Sequence, residues 1–290
     1  MMITKPKILI VGATGYLGRH LVMALQKQQG DFVALARNGR KLRDMGLSAA
    51  QVLQAQVTDA SSLTGCCKGI DVVISCLGIT RQKDGLGYMD VDYQANINVL
   101  EEAEKSGVKA FIYISAFNAP QFQTVRLLYA KEQFAQRLLG SQLLEPCVIR
   151  PNGFYSDIEA VYNMVKSGRA YLFGSNDIRF NPIHGEDLAQ YCIKAMIPVL
   201  NKESKRELAV GGSEILTSKE ITSLAFQALN KPEKIVYLPD WIRRFLLSVV
   251  KRLPEKVGGA AEFFLTVSAQ DMVAPPYGKH SLFSYFKQLK

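Results

Sequence analysis

The stretch KILIVGATGYLGRHLVMAL (residues 7–25) decides the fold. It opens with apolar, mostly β-branched residues, which are typical of a buried strand. Three glycines at three-residue spacing follow, and then an amphipathic helical pattern. Gly12 permits a tight turn, Gly15 lets the backbone approach a phosphate, and Gly18 lets the helix pack closely on the strand. This order predicts a dinucleotide pyrophosphate at a helix N-terminus.

Strand and helix patterns alternate through the first half of the chain. Buried strands are predicted at 7–11, 32–36, 51–55, 71–76, 110–115 and 147–150, with helices at 16–29, 88–106 and 124–140 between them. We therefore predict an α/β fold, a doubly wound parallel Rossmann sheet with helices on both faces. After Pro151 the loops lengthen, so residues 1–150 are predicted to form the NAD(P)-binding core. Residues 151–290 would be a smaller C-terminal α/β lobe, packed on the core and contributing part of its sheet.

Composition restricts the partners and the compartment. The 290 residues carry a net charge of +9, which favours an anionic partner such as a phosphorylated cofactor or an acidic lipid surface. The basic residues are spread along the chain apart from a cluster at 243–252, which argues against nucleic acid. Five cysteines without metal-ligand spacing and three histidines predict no metal site. Reduced thiols, and a first strand too close to the N-terminus for a signal peptide, predict a cytoplasmic protein.

Several stretches together resemble a known superfamily. GATGYLG is followed in order by VDYQANINVLEEAEKSGVKAFIYIS (91–115), CVIRPNGFY (147–155), NPIHGEDLA (181–189) and LAVGGSEILTSKEI (208–221). The chain resembles the extended and atypical short-chain dehydrogenases/reductases over nearly its whole length, and most of all the NmrA-like and divinyl-reductase-like members. The resemblance implies a Rossmann fold and an NAD(P) cofactor.

The end of the second predicted strand indicates which cofactor. A protein that selects NAD(H) usually places a carboxylate there, whereas this strand ends in ALAR, with Arg37 nineteen residues after Gly18. A guanidinium suits a 2′-phosphate, and Arg19 stands just after the glycine turn. NADP(H) is therefore favoured over NAD(H), although a solvated surface role for these arginines stays open.

Further cofactor contacts are predicted along the chain. Asp59 matches the position where the superfamily contacts adenine, but it is equally suited to cap a helix. The other predicted cofactor residues are Thr14, Tyr16 and Leu17 in the turn, Leu77 and Gly78 after the fourth strand, and Ser115, Lys131 and Pro151.

The catalytic motif of the superfamily is incomplete. The resemblance implies a Tyr-x-x-x-Lys pair whose lysine is Lys131, yet Leu127 stands at the tyrosine position. Tyr129 lies two residues before the lysine and could act only if the helix began at about residue 130. The usual serine falls at Ala116 or Phe117 rather than at Ser115.

Three interpretations stay open. Lys131 donates a proton alone, which requires a lowered pKa; or a tyrosine such as Tyr129 or Tyr155 is the acid; or Lys131 holds the cofactor ribose without turnover. His184 is interpreted as mainly positional. The predicted function is an NADPH-dependent reductase of a small hydrophobic conjugated or carbonyl substrate. The alternative is a non-enzymatic NADP(H)-binding sensor or assembly factor, as some NmrA-like proteins are.

The segment DWIRRFLLSVVKRL (240–253) predicts a basic amphipathic helix. Its apolar stripe includes Trp241, Phe245 and Val249, and most of its basic residues lie on the other side. We favour an apolar stripe packed against the protein beside the substrate cleft. Contact of residues 241–253 with an anionic membrane surface is the alternative.

Overall fold

The computed structural model describes residues 5–80, 85–174 and 177–290. Seven parallel strands form the central sheet: β1 (Ile8–Val11), β2 (Phe32–Ala36), β3 (Val52–Gln54), β4 (Val72–Ser75), β5 (Ala110–Ile114), β6 (Glu145–Pro151) and β9 (Glu207–Val210). Their order across the sheet is β3-β2-β1-β4-β5-β6-β9. The other strands are β7 (Ala170–Phe173), β8 (Arg179–Phe180), β10 (Leu216–Thr217) and β11 (Ile235–Leu238), which pair as β7 with β11 and β8 with β10.

Ten α-helices surround these sheets in the described part of the chain. They are α1 (Tyr16–Lys27), α2 (Gly39–Arg43), α3 (Ala95–Lys105), α4 (Arg126–Leu139), α5 (Tyr155–Lys166), α6 (Gly185–Leu200), α7 (Ser218–Ala228), α8 (Asp240–Val250), α9 (Glu255–Val267) and α10 (Leu282–Gln288). Within the segments 5–80, 85–174 and 177–290, no helix is both long and apolar enough to cross a bilayer.

Successive apolar side chains along the strands point to opposite faces of the sheet, so a hydrophobic core forms on each face. Ile8 and Ile10 pack with α1 and α6 on one face, whereas Leu9 and Val11 pack with α3 and α4 on the other. This alternation is the period of two that an extended strand imposes. The predicted doubly wound α/β fold is confirmed.

The strand order reverses at β1, which lies between β2 and β4. In open parallel sheets the crevice at such a reversal, outside the carboxyl ends of the strands, is where ligands bind. Val11 pairs with Leu35 of β2 and with Ser75 of β4. The glycine turn, Arg37 and the segment after Ser75 therefore leave the sheet at the same edge.

The C-terminal half contributes both a separate core and part of the main sheet. Helices α5, α7 and α10 share a further core, apart from the two on the faces of the main sheet, that includes Tyr162, Phe226 and Phe286. Strand β9, by contrast, pairs in parallel with β6, with Val148 opposite Glu207. A division at residue 150 into core and lobe stays a prediction.

The orientation of α8 differs from the one we favoured from sequence. Its apolar stripe faces outward, with Trp241 66% and Phe245 61% exposed, whereas Arg243 is only 8% exposed. Arg243 is fixed by an ion pair with Asp240 (Nε to Oδ1, 2.6 Å), and its Nη1 donates to the Leu265 carbonyl (2.8 Å). The buried guanidinium sets which side of the helix meets the protein.

Candidate functional site

The glycine turn has no room for side chains at two of its positions. Gly12 has φ of +79°, and a Cβ there would lie 3.1 Å from the Cys76 carbonyl carbon. A Cβ on Gly18 would lie 2.2 Å from the Gly12 oxygen, which is a backbone atom that cannot swing aside. Helix α1 begins directly after Gly15 and has no acidic residue in its first turn. Its N-terminal amides are therefore suited to an anion.

Two cavities lie on either side of this turn. The first, here the turn cavity, has a volume of about 330 Å³. Of the predicted residues, it is lined by Gly12, Thr14, Gly15, Arg37, Leu77 and Gly78. The second, here the lysine cavity, measures about 290 Å³. Its lining includes the predicted residues Gly15, Tyr16, Leu17, Gly18, Leu77, Gly78, Ser115, Lys131 and Pro151. The shared lining residues show that the two cavities adjoin each other along the carboxyl edge of the sheet.

Two predicted cofactor residues lie outside both cavities. Arg19 is exposed on α1. Asp59 caps a short 3-10 helix (Ala60–Leu63), because its Oδ1 accepts from the Ser61 amide at 2.9 Å. Thr58, one residue earlier, lines the turn cavity instead. The helix cap, which the sequence left open as the second interpretation of Asp59, is the role that the structure shows.

Lys131 is paired with an acid that the sequence analysis missed. Its Nζ lies 2.9 Å from Oδ1 of Asp92, which is fully buried. The Ile79 amide donates to the other oxygen of Asp92 at 3.2 Å. A Cβ on Gly78 would lie 2.7 Å from both Lys131 Nζ and Asp92 Oδ1. The ion pair between Lys131 and Asp92 therefore occupies space that a side chain at residue 78 would fill.

The ion pair determines the charge of Lys131. Burial alone lowers the pKa of Lys131, but the Asp92 carboxylate and the Tyr113 side chain outweigh it and raise the pKa above its ordinary value. The Tyr113 ring centre lies 5.7 Å from Nζ. Lys131 is therefore a persistent cation, whereas a lone lysine proton donor would need the opposite shift.

The tyrosines considered as acids do not line the lysine cavity. Helix α4 begins at Arg126, so Tyr129 is helical, and the condition of a later helix start is not met. Its side chain is 42% exposed and lies outside the cavity lining. Tyr155 is buried, and its hydroxyl donates to the His280 carbonyl at 2.8 Å. Lys131 and Tyr129 are thus not brought together at one site.

The histidines lie away from these cavities, near the start of α6. His184 caps the helix, because its Nδ1 accepts from the Glu186 amide at 3.2 Å. Ligand atoms of His184, Glu186 and His280 lie within 4.8 Å of one another, a grouping that their positions in the sequence did not suggest. His280 Nδ1 already lies 2.9 Å from Asp187 Oδ1. The capping role of His184 agrees with its interpretation as positional.

A third cavity adjoins the lysine cavity on the side of the C-terminal half. This apolar cavity, of about 310 Å³, shares Ala116, Pro151, Gly153, Asp157 and Phe263 with the lysine cavity. The rest of its lining is largely aliphatic and aromatic and includes Ile158, Val161, Met164, Phe173, Ile221 and Phe264. The three cavities therefore adjoin one another in a row, from the glycine turn to an apolar chamber.

Asp157 stands where the lysine and apolar cavities meet. One of its oxygens accepts from the Phe154 amide at 2.9 Å, as a residue in the first turn of α5 often does. Burial raises the pKa of this carboxyl group, and the Phe154 hydrogen bond and Lys131 only partly oppose the shift. The sequence signal for Asp157 was only that of a helix-capping acid, which does not reveal that the side chain lines a cavity.

The fold, the glycine turn and the adjoining cavities define a Rossmann-type dinucleotide-binding protein. The NAD(P)H-binding family matches residues 12–197, and the chain belongs to this family. The predicted resemblance to NAD(P)-binding proteins of the short-chain dehydrogenase/reductase type is thereby confirmed.

Several relatives cover most of the chain. The chloroplastic divinyl chlorophyllide a 8-vinyl-reductase of Arabidopsis thaliana is 26% identical over 320 residues, covering 97% of this chain and 76% of the relative. The photosystem II assembly factor Ycf39 of Synechocystis is 24% identical over 250 residues, covering 84% and 74%. The NADPH complex of the quinone oxidoreductase QOR2 from Escherichia coli superimposes with a TM-score of 0.71 at 20% identity, covering 97% and 99%.

Proposed function

We propose that this protein is an NADPH-dependent reductase of a neutral, hydrophobic substrate. The observation that carries the proposal is that three cavities adjoin one another, from the glycine turn past Lys131 to the apolar chamber. When bound, NADPH supplies a hydride. The reductases among the relatives support this class of reaction, and the NADPH complex of the quinone oxidoreductase supports this cofactor.

The two cavities beside the turn suit the two ends of the cofactor. The α1 amides and the bare backbone of the turn would receive the pyrophosphate. Arg37, exposed at the end of β2 and lining the turn cavity, would hold the 2′-phosphate. Lys131 would donate to the hydroxyls of the nicotinamide ribose. The Asp92 carboxylate keeps Lys131 charged and fixes Nζ in place.

The substrate end suits an apolar molecule that takes up one proton. The lining of the apolar cavity favours a conjugated or carbonyl compound without charge. Among the described residues that this cavity shares with the lysine cavity, Asp157 can exchange a proton. Its raised pKa favours the protonated form, so we propose Asp157 as the general acid. This assignment replaces the tyrosine acids considered from sequence.

The test combines binding with turnover. NADPH is titrated while its fluorescence is followed, and NADPH oxidation is then measured across a panel of quinones and enones. Saturable binding together with oxidation in the presence of a panel member is expected. Tight binding with no oxidation by any member would contradict the reductase and favour the alternative, an NADP(H)-binding sensor or assembly factor. Two observations favour the sensor or assembly factor: Leu127 stands at the usual tyrosine position, and the chain is similar to Ycf39.

Arg37→Asp is expected to weaken NADPH binding by about 10- to 100-fold, because a charge-assisted contact contributes about 1.5–3 kcal/mol. NADH carries no 2′-phosphate, so its affinity is expected to stay the same or rise. Calorimetric titration of both cofactors measures the change. Arg40→Asp is the matched control, since Arg40 is exposed nearby but does not line the turn cavity. Equal losses for NADPH and NADH would remove the assigned role of Arg37.

We also propose a reducing, cytoplasmic setting for the protein. Cys147 and Cys192 are buried as free thiols. Burial raises the pKa of Cys147 to about 12 and raises that of Cys192 as well. Such thiols stay protonated and act as small apolar side chains.

A further inference from the structure

Helix α8 and the start of α9 expose an unusual amount of apolar surface. Besides Trp241 and Phe245, the exposed apolar side chains here are Leu246, Val249, Leu253 and Val257. At about 100° per residue, those of α8 project within one arc of the helix. The side that packs on the protein carries Arg243. We call this outward-facing group, residues 241–257, the α8 surface.

Cations lie beside the apolar side chains. Arg244, Lys251, Arg252 and Lys256 are all exposed. The two acids of the same segment are already engaged, since Asp240 pairs with Arg243 at 2.6 Å and Glu255 accepts from the Tyr88 amide at 2.7 Å. The α8 surface therefore presents apolar side chains together with a net positive charge.

We propose that the α8 surface docks the protein on an anionic lipid bilayer. Tryptophan and phenylalanine suit the boundary between headgroups and acyl chains, and neighbouring cations are attracted to anionic headgroups. A second copy of this chain fits less well. A symmetric dimer through this face would bring four cations of one copy close to the same four of the other. The net charge of +9 on each copy also disfavours a dimer, because the two copies repel each other.

Docking at this face would bring the apolar cavity close to the lipid. Phe263 and Phe264 of α9, the helix that follows α8 in the chain, line that cavity. A membrane-dissolved substrate would then have a short path to the chamber. The docking proposal itself does not depend on the reductase activity, because it rests on residues outside the cofactor cavities. Its test therefore needs no turnover.

The chain carries one tryptophan, Trp241, so its emission reports directly on the α8 surface. Vesicles of phosphatidylcholine with phosphatidylglycerol are added to the full-length protein, and vesicles of phosphatidylcholine alone serve as reference. A blue shift with the anionic vesicles, reversed by high salt, is expected, together with co-sedimentation. No shift and no co-sedimentation with the anionic vesicles would overturn the proposal.

Two variants and one control sharpen the test. Phe245→Ser is expected to weaken partitioning by about tenfold or more, and the Arg244→Glu/Lys251→Glu pair by about fivefold per charge removed. Met23→Ser, an equally exposed apolar site on α1 (60%), should leave partitioning unchanged. Unchanged NADPH affinity would show that each variant is folded. Partitioning that survives both changes, or a solution dimer that Phe245→Ser dissociates, would overturn docking on lipid.

Discussion

Asp92→Ala is expected to destabilise the protein by about 3–5 kcal/mol, because it leaves Lys131 as a buried charge without its partner. Asp92 is fully buried and the Lys131 side chain is only 13% exposed, so solvent screens the loss weakly. Urea unfolding at neutral pH measures the change in the free energy of unfolding. Lys131→Met in the same background removes the stranded charge and should recover a large part of this loss.

The pH dependence of this variant has a defined sign. In the wild type the pKa of Lys131 is raised, so the stabilisation is present below the unfolded pKa of about 10.4 and is lost only at still higher pH. Without Asp92, burial lowers that pKa instead. The native variant then binds fewer protons than its unfolded state, and its stability should rise from pH 7 to pH 10 relative to the wild type. A variant as stable as the wild type across this range would contradict the structural role of the pair.

Asp157→Asn is expected to reduce kcat by about 100-fold or more with the substrate that the panel identifies, because general acid catalysis contributes about 10²- to 10⁴-fold. Asparagine is isosteric and can still accept the Phe154 amide hydrogen bond, so α5 keeps its cap. Affinity for NADPH should stay within about twofold of the wild type, since Asp157 is placed at the substrate end of the row of cavities. Stopped-flow NADPH oxidation gives kcat, and fluorescence titration gives the affinity.

The pH profile separates this role from a merely structural one. The wild-type rate should fall as pH rises through the raised pKa of Asp157, because only the protonated carboxyl donates. In Asp157→Asn this dependence should disappear. Glu159→Gln removes a carboxylate from the same helix without touching any of the three cavities, so it should keep the rate at low pH. Its profile should move to lower pH but keep its shape, because the Glu159 carboxylate helps to raise the pKa of Asp157. A normal rate and profile in Asp157→Asn would assign the proton to another group.

The Rossmann core and the glycine turn were predictable because they depend on local patterns. Strand β1 is a short apolar run that ends at a glycine turn, and Gly12 needs a positive φ that other residues rarely adopt. Lys131 could be placed by counting back from Arg150 along the superfamily motif. The glycine turn and Lys131 lie at fixed spacings from neighbouring motif residues, so they can be predicted from the sequence alone.

Asp92 could not be predicted, because the helix that carries it is irregular. One helix was predicted over 88–106, but its first turns, Met89–Gln94, are π-helical before α3 begins at Ala95. A π-helix has more residues per turn than an α-helix, so the side chains of Met89–Gln94 point in other directions than a regular α-helix would give them. Asp90 is left exposed while Asp92 turns inward. If residues 88–106 formed one regular helix, Asp92 would be interpreted as an acid on its solvent-exposed face.

The orientation of α8 could not be predicted for a different reason. Helical periodicity shows which side chains share a face, but it does not show which face meets the rest of the protein. The Arg243 guanidinium lies on the side of α8 that packs against the protein, where it donates to Asp240 of the same helix and to the Leu265 carbonyl of α9. The second of these partners lies 22 residues away in sequence.

The pairing of β9 with β6 has a mechanical consequence. The chain leaves the central sheet after Pro151 and comes back beside the same strand at Glu207, so the segment between them is held by two neighbouring attachment points. Rotation about a single connecting peptide is therefore ruled out for this segment, which includes α5 with Asp157 and β7 with Phe173. Asp157 is consequently tethered to β6, the strand on which α4 with Lys131 packs. The two attachment points thus limit how far the walls of the lysine and apolar cavities can move apart.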